Sequence, residues 1–237
     1  MSPITGEETV ATLRARLERT ERQAAARQTQ LEHYAADLRD VFKQERARAQ
    51  ELRRSYMATV RALSNAVEAR DAYTSKHAER VAAYGLELAR AAGLDVVDSP
   101  QIEFGFLLHD VGKLGVPDAI LFKSGRLTEE EYALVRRHPL IGTEILRDID
   151  FLGEGKLVVR HHHERWDGTG YPDGLAGEAI PFAARVFAVA DALDALTTDR
   201  PYRPASSFSR AREVLHACAG TQFDPQVVDA LLDLLGA

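Results

Sequence analysis

The sequence predicts an all-α protein in which a long N-terminal helix precedes a helical domain. The segment from Thr9 to Met57 contains no glycine and no proline and is rich in alanine, arginine, glutamate and glutamine, all good helix formers. After it come shorter apolar stretches separated by glycine and proline, and none alternates between apolar and polar residues as a half-buried strand does. We therefore divide the chain into a helix over 1–60 and a domain over 61–237.

The N-terminal helix carries an apolar or alanine residue at every seventh position. The first column consists of Leu17, Ala24, Leu31 and Leu38. It then shifts to Phe42, Ala49, Tyr56 and Leu63. This imperfect heptad pattern predicts a coiled coil, and with it a homodimer or coupling to a separate sensor or signalling protein. Packing of the helix on the following domain is one alternative. A solvated linker helix is another, because many seam positions are polar or alanine.

Capping residues and prolines delimit the helices that we predict in the domain. The predicted segments are Ala78 to Ala92 before Gly93, Gln101 to Leu108, Thr128 to His138, a stretch from Pro139, Ile180 to Thr197, and a last helix opened by Asp224-Pro225. Irregular loops are expected at 112–127 and 164–180, where helical periodicity is missing.

Composition excludes several classes of function. The formal net charge is -6 and the pI is about 5.8, which argues against binding to polymeric nucleic acid. The single cysteine, Cys218, rules out an internal disulfide and fits a reducing compartment. The N-terminus lacks a signal-peptide pattern, and no apolar run approaches the roughly 20 residues of a membrane helix. We expect a cytoplasmic protein without membrane insertion.

Histidines and aspartates suggest a metal site at three places. The run HHHERWDGTGYP at 161–172 could direct two imidazoles to one site, although such clusters are as often surface features. His109-Asp110 ends an apolar segment, where a carboxylate needs a charged partner unless it caps the next turn. Asp191 interrupts an apolar helix and shares a face with Asp194, so it needs a metal or an ion pair, for example with Arg185.

His77 and His138 complete a set of five histidines and two aspartates. Taken singly, each of these two is more often a surface or capping histidine than a ligand. Mixed nitrogen and oxygen ligands suit iron or manganese, with zinc, cobalt, nickel or magnesium as further options. Seven ligands exceed the needs of one ion but fit two divalent ions, which together can activate water and stabilise an in-line phosphoryl displacement.

These motifs resemble those of the HD-GYP family, a branch of the HD metal-dependent phosphohydrolases, over about Val67 to Leu232. The segment from His109 to Lys113 resembles the HD signature, and 162–172 matches the complete HHExxDGxGYP signature. The blocks at 190–197 and 199–203 also look like later blocks of the family. The resemblance implies an HD-domain helical bundle.

The resemblance also implies roles for individual residues. The implied metal ligands are His77, His109, Asp110, His138, His162, His163 and Asp191. Asp110 would bridge two ions, Lys113 would contact phosphate, and His161 would be a neighbour rather than a ligand. Tyr73 stands where some members have a glutamate that binds a third metal, so two metals are expected. Lys76 stands where members often have glycine.

The reaction implied by the resemblance is hydrolysis of cyclic di-GMP to pGpG, GMP or both, with Asp110 and Lys113 as catalytic residues. Candidate substrate-binding residues are Lys113, Tyr171, Arg185, Arg200 and Arg203. Two other readings stay open. One is a signalling module that binds the nucleotide or a partner without cleavage, and the other is a general HD phosphohydrolase acting on nucleotides or phosphomonoesters.

Overall fold

A computed structural model of the chain describes residues 6–70, 76–94, 100–199 and 204–236. These residues form helices and connecting turns without any β-strand, which confirms the predicted all-α class. The α-helices are α1 Gly6–Glu68, α2 His77–Ala91, α3 Pro100–Leu108, α4 Asp118–Leu121, α5 Glu129–Val135, α6 His138–Ile145, α7 Gly155–His161, α8 Phe182–Thr197, α9 Phe208–Ala217 and α10 Pro225–Gly236.

The chain divides into two compact units, Met1–Tyr56 and Met57–Ala237. The long N-terminal helix is confirmed as α1, which begins in the first unit and ends in the second. Leu17, Leu31 and Leu38 of the predicted heptad column are 59%, 66% and 56% exposed in the single chain. The coiled coil and the division at residue 60 stay predictions. No described helix is both long and apolar enough to cross a bilayer.

The core of the second unit is built on α2, which packs against α8 and α3. The rings of Phe106 and Phe187 are fully buried, with centroids 5.3 Å apart. α3 also approaches α7 through glycines, since a Cβ atom on Gly105 would lie 2.5 Å from the carbonyl oxygen of Gly155. This close packing brings the ends of α3 and α7, where the candidate histidines lie, to the same region.

Several helix limits agree with the capping residues in the sequence. Thr128 and Glu131 form a reciprocal capping box at the start of α5, and Pro181 precedes α8. The helix predicted over Thr128 to His138 is wrong in extent, because α5 ends at Val135 and α6 begins at His138. His138 therefore lies at the start of a helix.

The two predicted loops are less irregular than expected. The first contains a 3-10 turn at Val111–Gly115 and the short helix α4, and the second contains a 3-10 turn at Gly177–Ala179. Elements of three to five residues are too short to carry a detectable helical period. We did not predict α7 and α9, of 7 and 10 residues, for a related reason.

Candidate metal centre

Six of the seven predicted ligands line one cleft of the second unit, and the seventh, His162, has its Nε2 atom 3.1 Å from that of His138. His77 begins α2, His109 and Asp110 follow α3, and His138 begins α6. His162 and His163 directly follow α7, and Asp191 lies within α8. The separations that join them include 3.1 Å from His109 Nε2 to Asp110 Oδ2 and 3.3 Å from His138 Nε2 to Asp110 Oδ1. Asp110 therefore lies between histidines from different helices.

The backbone orients three of the imidazole rings in the same way. The Nδ1 atoms of His109, His138 and His162 lie 2.8–2.9 Å from the carbonyl oxygens of the residues three positions earlier. A carbonyl only accepts, so each Nδ1 carries the proton and donates. Each Nε2 is then directed into the centre, and the chain itself selects the tautomer that a metal ligand needs.

The pair His138 and His162 is the clearest test of whether a cation fits. Their Nε2 atoms lie 3.1 Å apart, and burial lowers the pKa of both rings, most strongly that of His162. With both protons on Nδ1, two lone pairs face each other across this short gap. A cation between them would convert this repulsion into coordination. His163 completes a group of three donor nitrogens that all lie within 4.8 Å of one another.

Protonation states around Asp110 also suit a metal. Burial by itself would raise the pKa of Asp110, but Lys113 and His109 outweigh it and hold that pKa well below its usual range. Burial lowers the pKa of His163 to about 3, so this ring is neutral at physiological pH. An ionised carboxylate and neutral imidazoles are the forms that bind metal ions. His109 is the exception. Burial opposes a proton on its ring, but the neighbouring Asp110 outweighs burial and raises the His109 pKa.

His77 is oriented by a carboxylate instead of a carbonyl. Its Nδ1 lies 2.8 Å from Asp194 Oδ2, and its Nε2 lies 3.4 Å from Asp191 Oδ1. Arg80 donates to the same Asp194 carboxylate at 2.7 Å. Burial opposes ionisation of Asp194, but His77 and Arg80 lower its pKa to about 2. Asp194 thus fixes the ring so that Nε2 is directed at Asp191.

Asp191 is much more exposed than Asp194. Its side chain retains 32% of its exposure, whereas that of Asp194 retains 2%. The two residues share a face of α8, but Asp194 is covered by His77 and Arg80, whereas Asp191 remains partly open to solvent. The apolar residues around Asp191 and Asp194 indicate that α8 contains a buried carboxylate. They do not indicate which of the two carboxylates is buried.

Asp110 does not act as a helix cap. It precedes the 3-10 turn Val111–Gly115, yet its side chain makes no capping hydrogen bond there. It lies 2.8 Å from Lys113 Nζ instead. Gly112 permits this arrangement, because a Cβ atom at that position would lie 1.8 Å from the carbonyl oxygen of His138. The contact of these two backbones holds Asp110 and His138 side by side.

The glycine-rich loop after α7 forms the wall beside His163. The Tyr171 ring stacks on His163 at 4.7 Å between centroids and 27° between planes, and the Tyr171–Pro172 peptide bond is cis. Burial raises the pKa of the Tyr171 phenol, so it remains a neutral donor. Arg136 lies over the same ring, with its guanidinium carbon 4.5 Å from the centroid. Sequence reasoning assigned no role to Arg136, although it lies two residues before His138.

His161 belongs to a separate cluster with Glu164 and Asp173, whose donor atoms also lie within 4.8 Å of one another. Arg160 donates to both oxygens of Asp173 at 2.7 Å, and both oxygens of Glu164 accept backbone N–H groups. These carboxylates thus have partners of their own. We interpret the cluster as support for the loop.

Of the three arginines predicted to bind substrate, the structure describes Arg185 alone. Arg185 donates to Asp224 at 2.6 Å, so the ion pair predicted with Asp191 or Asp194 is wrong. The Arg185 guanidinium also lies 4.8 Å from the centroid of Phe182, and its side chain is only 13% exposed. Arg200 and Arg203 lie outside the described residues, as does Tyr73.

Two adjoining clefts open beside these residues. One, of about 390 Å³, is lined by Arg80, Asp110 and Lys113, and the other, of about 610 Å³, by Arg136 and Gln222. His163, Tyr171 and Asp191 line both. Volumes of this size accommodate a ligand larger than a single phosphate.

Comparisons with known proteins agree with this geometry. The model of the HD domain family matches residues 61–227. The cyclic di-GMP phosphodiesterase response regulator RpfG of Xanthomonas campestris is 46% identical over 176 residues, which are 73% of this chain and 47% of that protein. A Thermotoga maritima cyclic di-GMP phosphodiesterase is 40% identical over 169 residues, covering 70% and 46%. The 3'3'-cGAMP-specific phosphodiesterase 2 of Vibrio cholerae is 40% identical over 185 residues, covering 77% and 35%.

Solved structures share the fold. Bd1817, an HDG"Y"P protein from Bdellovibrio bacteriovorus, aligns with a TM-score of 0.55 at 25% identity over 69% of this chain and 52% of that one. The cyclic GMP-AMP specific phosphodiesterase V-cGAP3 of V. cholerae gives 0.58 at 19% identity, covering 75% and 48%. The chain spans about a third to a half of the length of the relatives named above. With its HD and GYP signatures and the matched family model, the chain belongs to the HD domain family, in its HD-GYP branch.

Proposed function

We propose that this protein is a metal-dependent phosphodiesterase that hydrolyses cyclic di-GMP to pGpG, GMP or both. The observation that carries this proposal is the cluster of imidazole Nε2 atoms around the ionised Asp110, at the edge of two adjoining clefts of about 390 and 610 Å³. Relatives named as cyclic di-GMP phosphodiesterases support the choice of substrate. Such a second messenger acts in the cytoplasm, which is the location we propose.

The proposed centre holds two divalent cations, and iron and manganese are the preferred candidates for both. His138, His162 and His163 would bind one ion, while His77, His109 and Asp191 would bind the other, with Asp110 shared. Bound metals of this kind activate water near neutral pH and stabilise charge on phosphoryl oxygens. Zinc, cobalt or nickel would fit the same donors, because imidazole suits these ions, and magnesium is a further option that would rely on the carboxylates and on water.

Positively charged side chains along the clefts would bind the substrate. Lys113 lies against Asp110 and could turn its ammonium group towards a phosphate oxygen. Arg136 over Tyr171 offers a flat cationic surface for a second phosphate or a base, and we propose it in place of Arg185. Arg200 and Arg203 stay proposed substrate contacts.

The exposed heptad leucines of α1 support a further part of the proposal, a homodimer formed through this helix. Coupling of the same helix to a separate sensor or signalling protein is the second option. Both concern the first compact unit and leave the chemistry of the metal centre unchanged.

The decisive experiment measures metal content and turnover on one anaerobic preparation. The substrate panel contains cyclic di-GMP, 3'3'-cGAMP, pGpG and a mononucleotide. We expect cleavage of cyclic di-GMP that disappears in Asp110→Ala, while the circular dichroism spectrum of the variant stays helical. Loaded protein that leaves every cyclic dinucleotide intact would contradict the proposal and favour a binding module.

A second candidate substrate follows from the relatives. Several V. cholerae relatives, at 36–40% identity, are named as specific for 3'3'-cGAMP. The two cyclic dinucleotides differ in one base, so recognition of the base edge has to discriminate between them. A higher kcat/KM for 3'3'-cGAMP than for cyclic di-GMP in the same panel would select this second candidate.

A further inference from the structure

The end of α1 and the turn that follows it contact three segments, of which two carry predicted metal ligands and one carries Lys113. The contacting side chains are Ser64, Glu68 and Arg70, which we call the terminal clamp. Ser64 and Glu68 are one helical turn apart and share a face of α1 with the buried Val60 and Val67. This face packs on the domain and is therefore held in a defined position.

Glu68 caps the helix that begins with His77. Its carboxylate accepts from the Lys76 N–H at 3.0 Å and from the Ala78 N–H at 2.6 Å. The first N–H groups of a helix have no partner within it, and Lys76 contributes no side-chain cap to α2. A negative charge at this end also interacts favourably with the helix dipole. Glu68 thereby fixes the backbone on both sides of His77.

Ser64 and Arg70 make the equivalent contacts to the other two segments. Ser64 Oγ donates to the carbonyl oxygen of Leu107 at 2.8 Å, in the last turn of α3 and two residues before His109. Arg70 donates to the carbonyl oxygen of Leu114 at 3.1 Å, directly after Lys113, and pairs with Asp118. Both carbonyls lie where helical hydrogen bonding ends, so the clamp replaces partners that the helix cannot supply.

We infer that the terminal clamp positions the metal ligands, with Glu68 as the positioning residue of His77. The inference rests on the proposed two-metal centre and extends it to side chains that touch neither substrate nor metal. The His77 ring is held by Asp194 and its backbone by Glu68, so a shift of the end of α1 would displace Nε2 from Asp191. His138, His162 and His163 have no such contact with the clamp among the described residues, so the loss of Glu68 should act mainly on the ion that His77 would bind.

The test is a titration of the chelator-treated full chain with Mn²⁺. Calorimetry and electron paramagnetic resonance measure the affinity for each ion. Glu68→Ala removes both capping bonds and should weaken one of the two bound ions by about tenfold or more, as loss of outer support does in metal sites. The other ion should keep its affinity. Glu68→Gln retains one accepting oxygen and should fall between the wild type and Glu68→Ala.

Arg61→Ala is the matched control, since it removes the 3.6 Å contact of the same helix end with Glu103. Glu103 lies in the first turn of α3, whereas the ligands follow the last turn of that helix, and both Mn²⁺ affinities should be unchanged. The control also reports any general loosening of α1, which a thermal melt of each variant measures in parallel.

Wild-type affinity for both ions in a folded Glu68→Ala chain would overturn the inference and leave the proposed centre intact. An equal loss at both ions would also overturn it, because the clamp touches one side of the centre. If Glu68→Ala does not fold, unchanged affinities in both Glu68→Gln and Ser64→Ala decide against it. A wild-type chain that binds no Mn²⁺ overturns the centre and the clamp together.

Discussion

At the scale of single residues, the centre depends on where each imidazole keeps its proton. Three histidines donate through Nδ1 to a carbonyl oxygen three residues earlier, and His77 donates to Asp194. None of the accepting groups belongs to a side chain that the family motifs mark as a ligand. The outer hydrogen bonds are nevertheless what direct Nε2 inward, and so they control affinity.

Substitution of Asp194 tests this dependence. In Asp194→Asn the amide oxygen can still accept from His77, but the negative charge that polarises the ring is gone. We expect a loss of metal affinity of about 10- to 100-fold at the ion bound by His77. Arg80→Ala leaves the contact of His77 with Asp194 in place and should retain metal affinity. Equal effects of the two substitutions in a metal titration would contradict this prediction.

Lys76 offers a separate test, of backbone strain at the start of α2. Its φ is 61°, in the left-handed region, where a side chain costs about 1–2 kcal/mol and glycine is free. Lys76→Gly should keep or slightly increase the free energy of unfolding, whereas Lys76→Val should lower it by at least about 1 kcal/mol, since β-branched residues are poorest there. Denaturant titration of the metal-free chains measures both. A Lys76→Val chain as stable as Lys76→Gly would exclude the left-handed conformation.

At the scale of elements, the sequence predicted the helices that have a clear apolar period or a strong cap, such as α5 and α8. It did not predict α7 or α9, whose lengths of 7 and 10 residues give little periodic signal. The site followed a similar rule. Motifs pointed to the proposed ligands, but the proposed role of Arg136 and the pairing of Arg185 with Asp224 depend on contacts between distant segments. Those contacts could not be derived from spacing along the chain.

The approach of the Val111–Gly115 turn to α6 can be tested at Gly112. An added Cβ atom would lie 1.8 Å from the carbonyl oxygen of His138 and 2.5 Å from the Gly142 nitrogen, and both atoms belong to the backbone. Gly112→Ala should therefore force the two elements apart and lower the free energy of unfolding by about 1–3 kcal/mol. It should also reduce turnover, because Asp110 and His138 separate.

The matched control is Gly125→Ala, since a Cβ atom at Gly125 would meet nothing within 4 Å. Chemical denaturation and turnover of this variant should equal those of the wild type within about 0.5 kcal/mol for stability. If Gly112→Ala behaves like this control in both measurements, the two backbones are not in the contact described.

At the scale of the whole molecule, the chain combines a helical unit in which none of the described side chains, from residue 10 to 56, is buried with a domain that has a core. In the first unit Leu17, Leu31 and Leu38 are more than half exposed, and the unit contributes no residue to the ligand set. A helix of this length is stabilised mainly by packing of its apolar face. The heptad spacing supplies such a face for a second copy of the same helix.

The homodimer proposed for α1 leads to a prediction about these leucines. Charged residues on the heptad column would place like charges opposite each other, so the triple substitution of Leu17, Leu31 and Leu38 by glutamate should convert a dimer into a monomer. Arg22, Thr29 and Ala36 lie on the opposite face of the helix, five residues after column positions. Their triple substitution by glutamate adds the same number of acidic groups and should leave the dimer intact.

Light scattering of the full chains measures the mass, and turnover per chain should survive in both variants, since neither set of residues touches the metal centre. A wild-type chain that is monomeric at all concentrations would rule out this role, and α1 would then serve coupling to another protein.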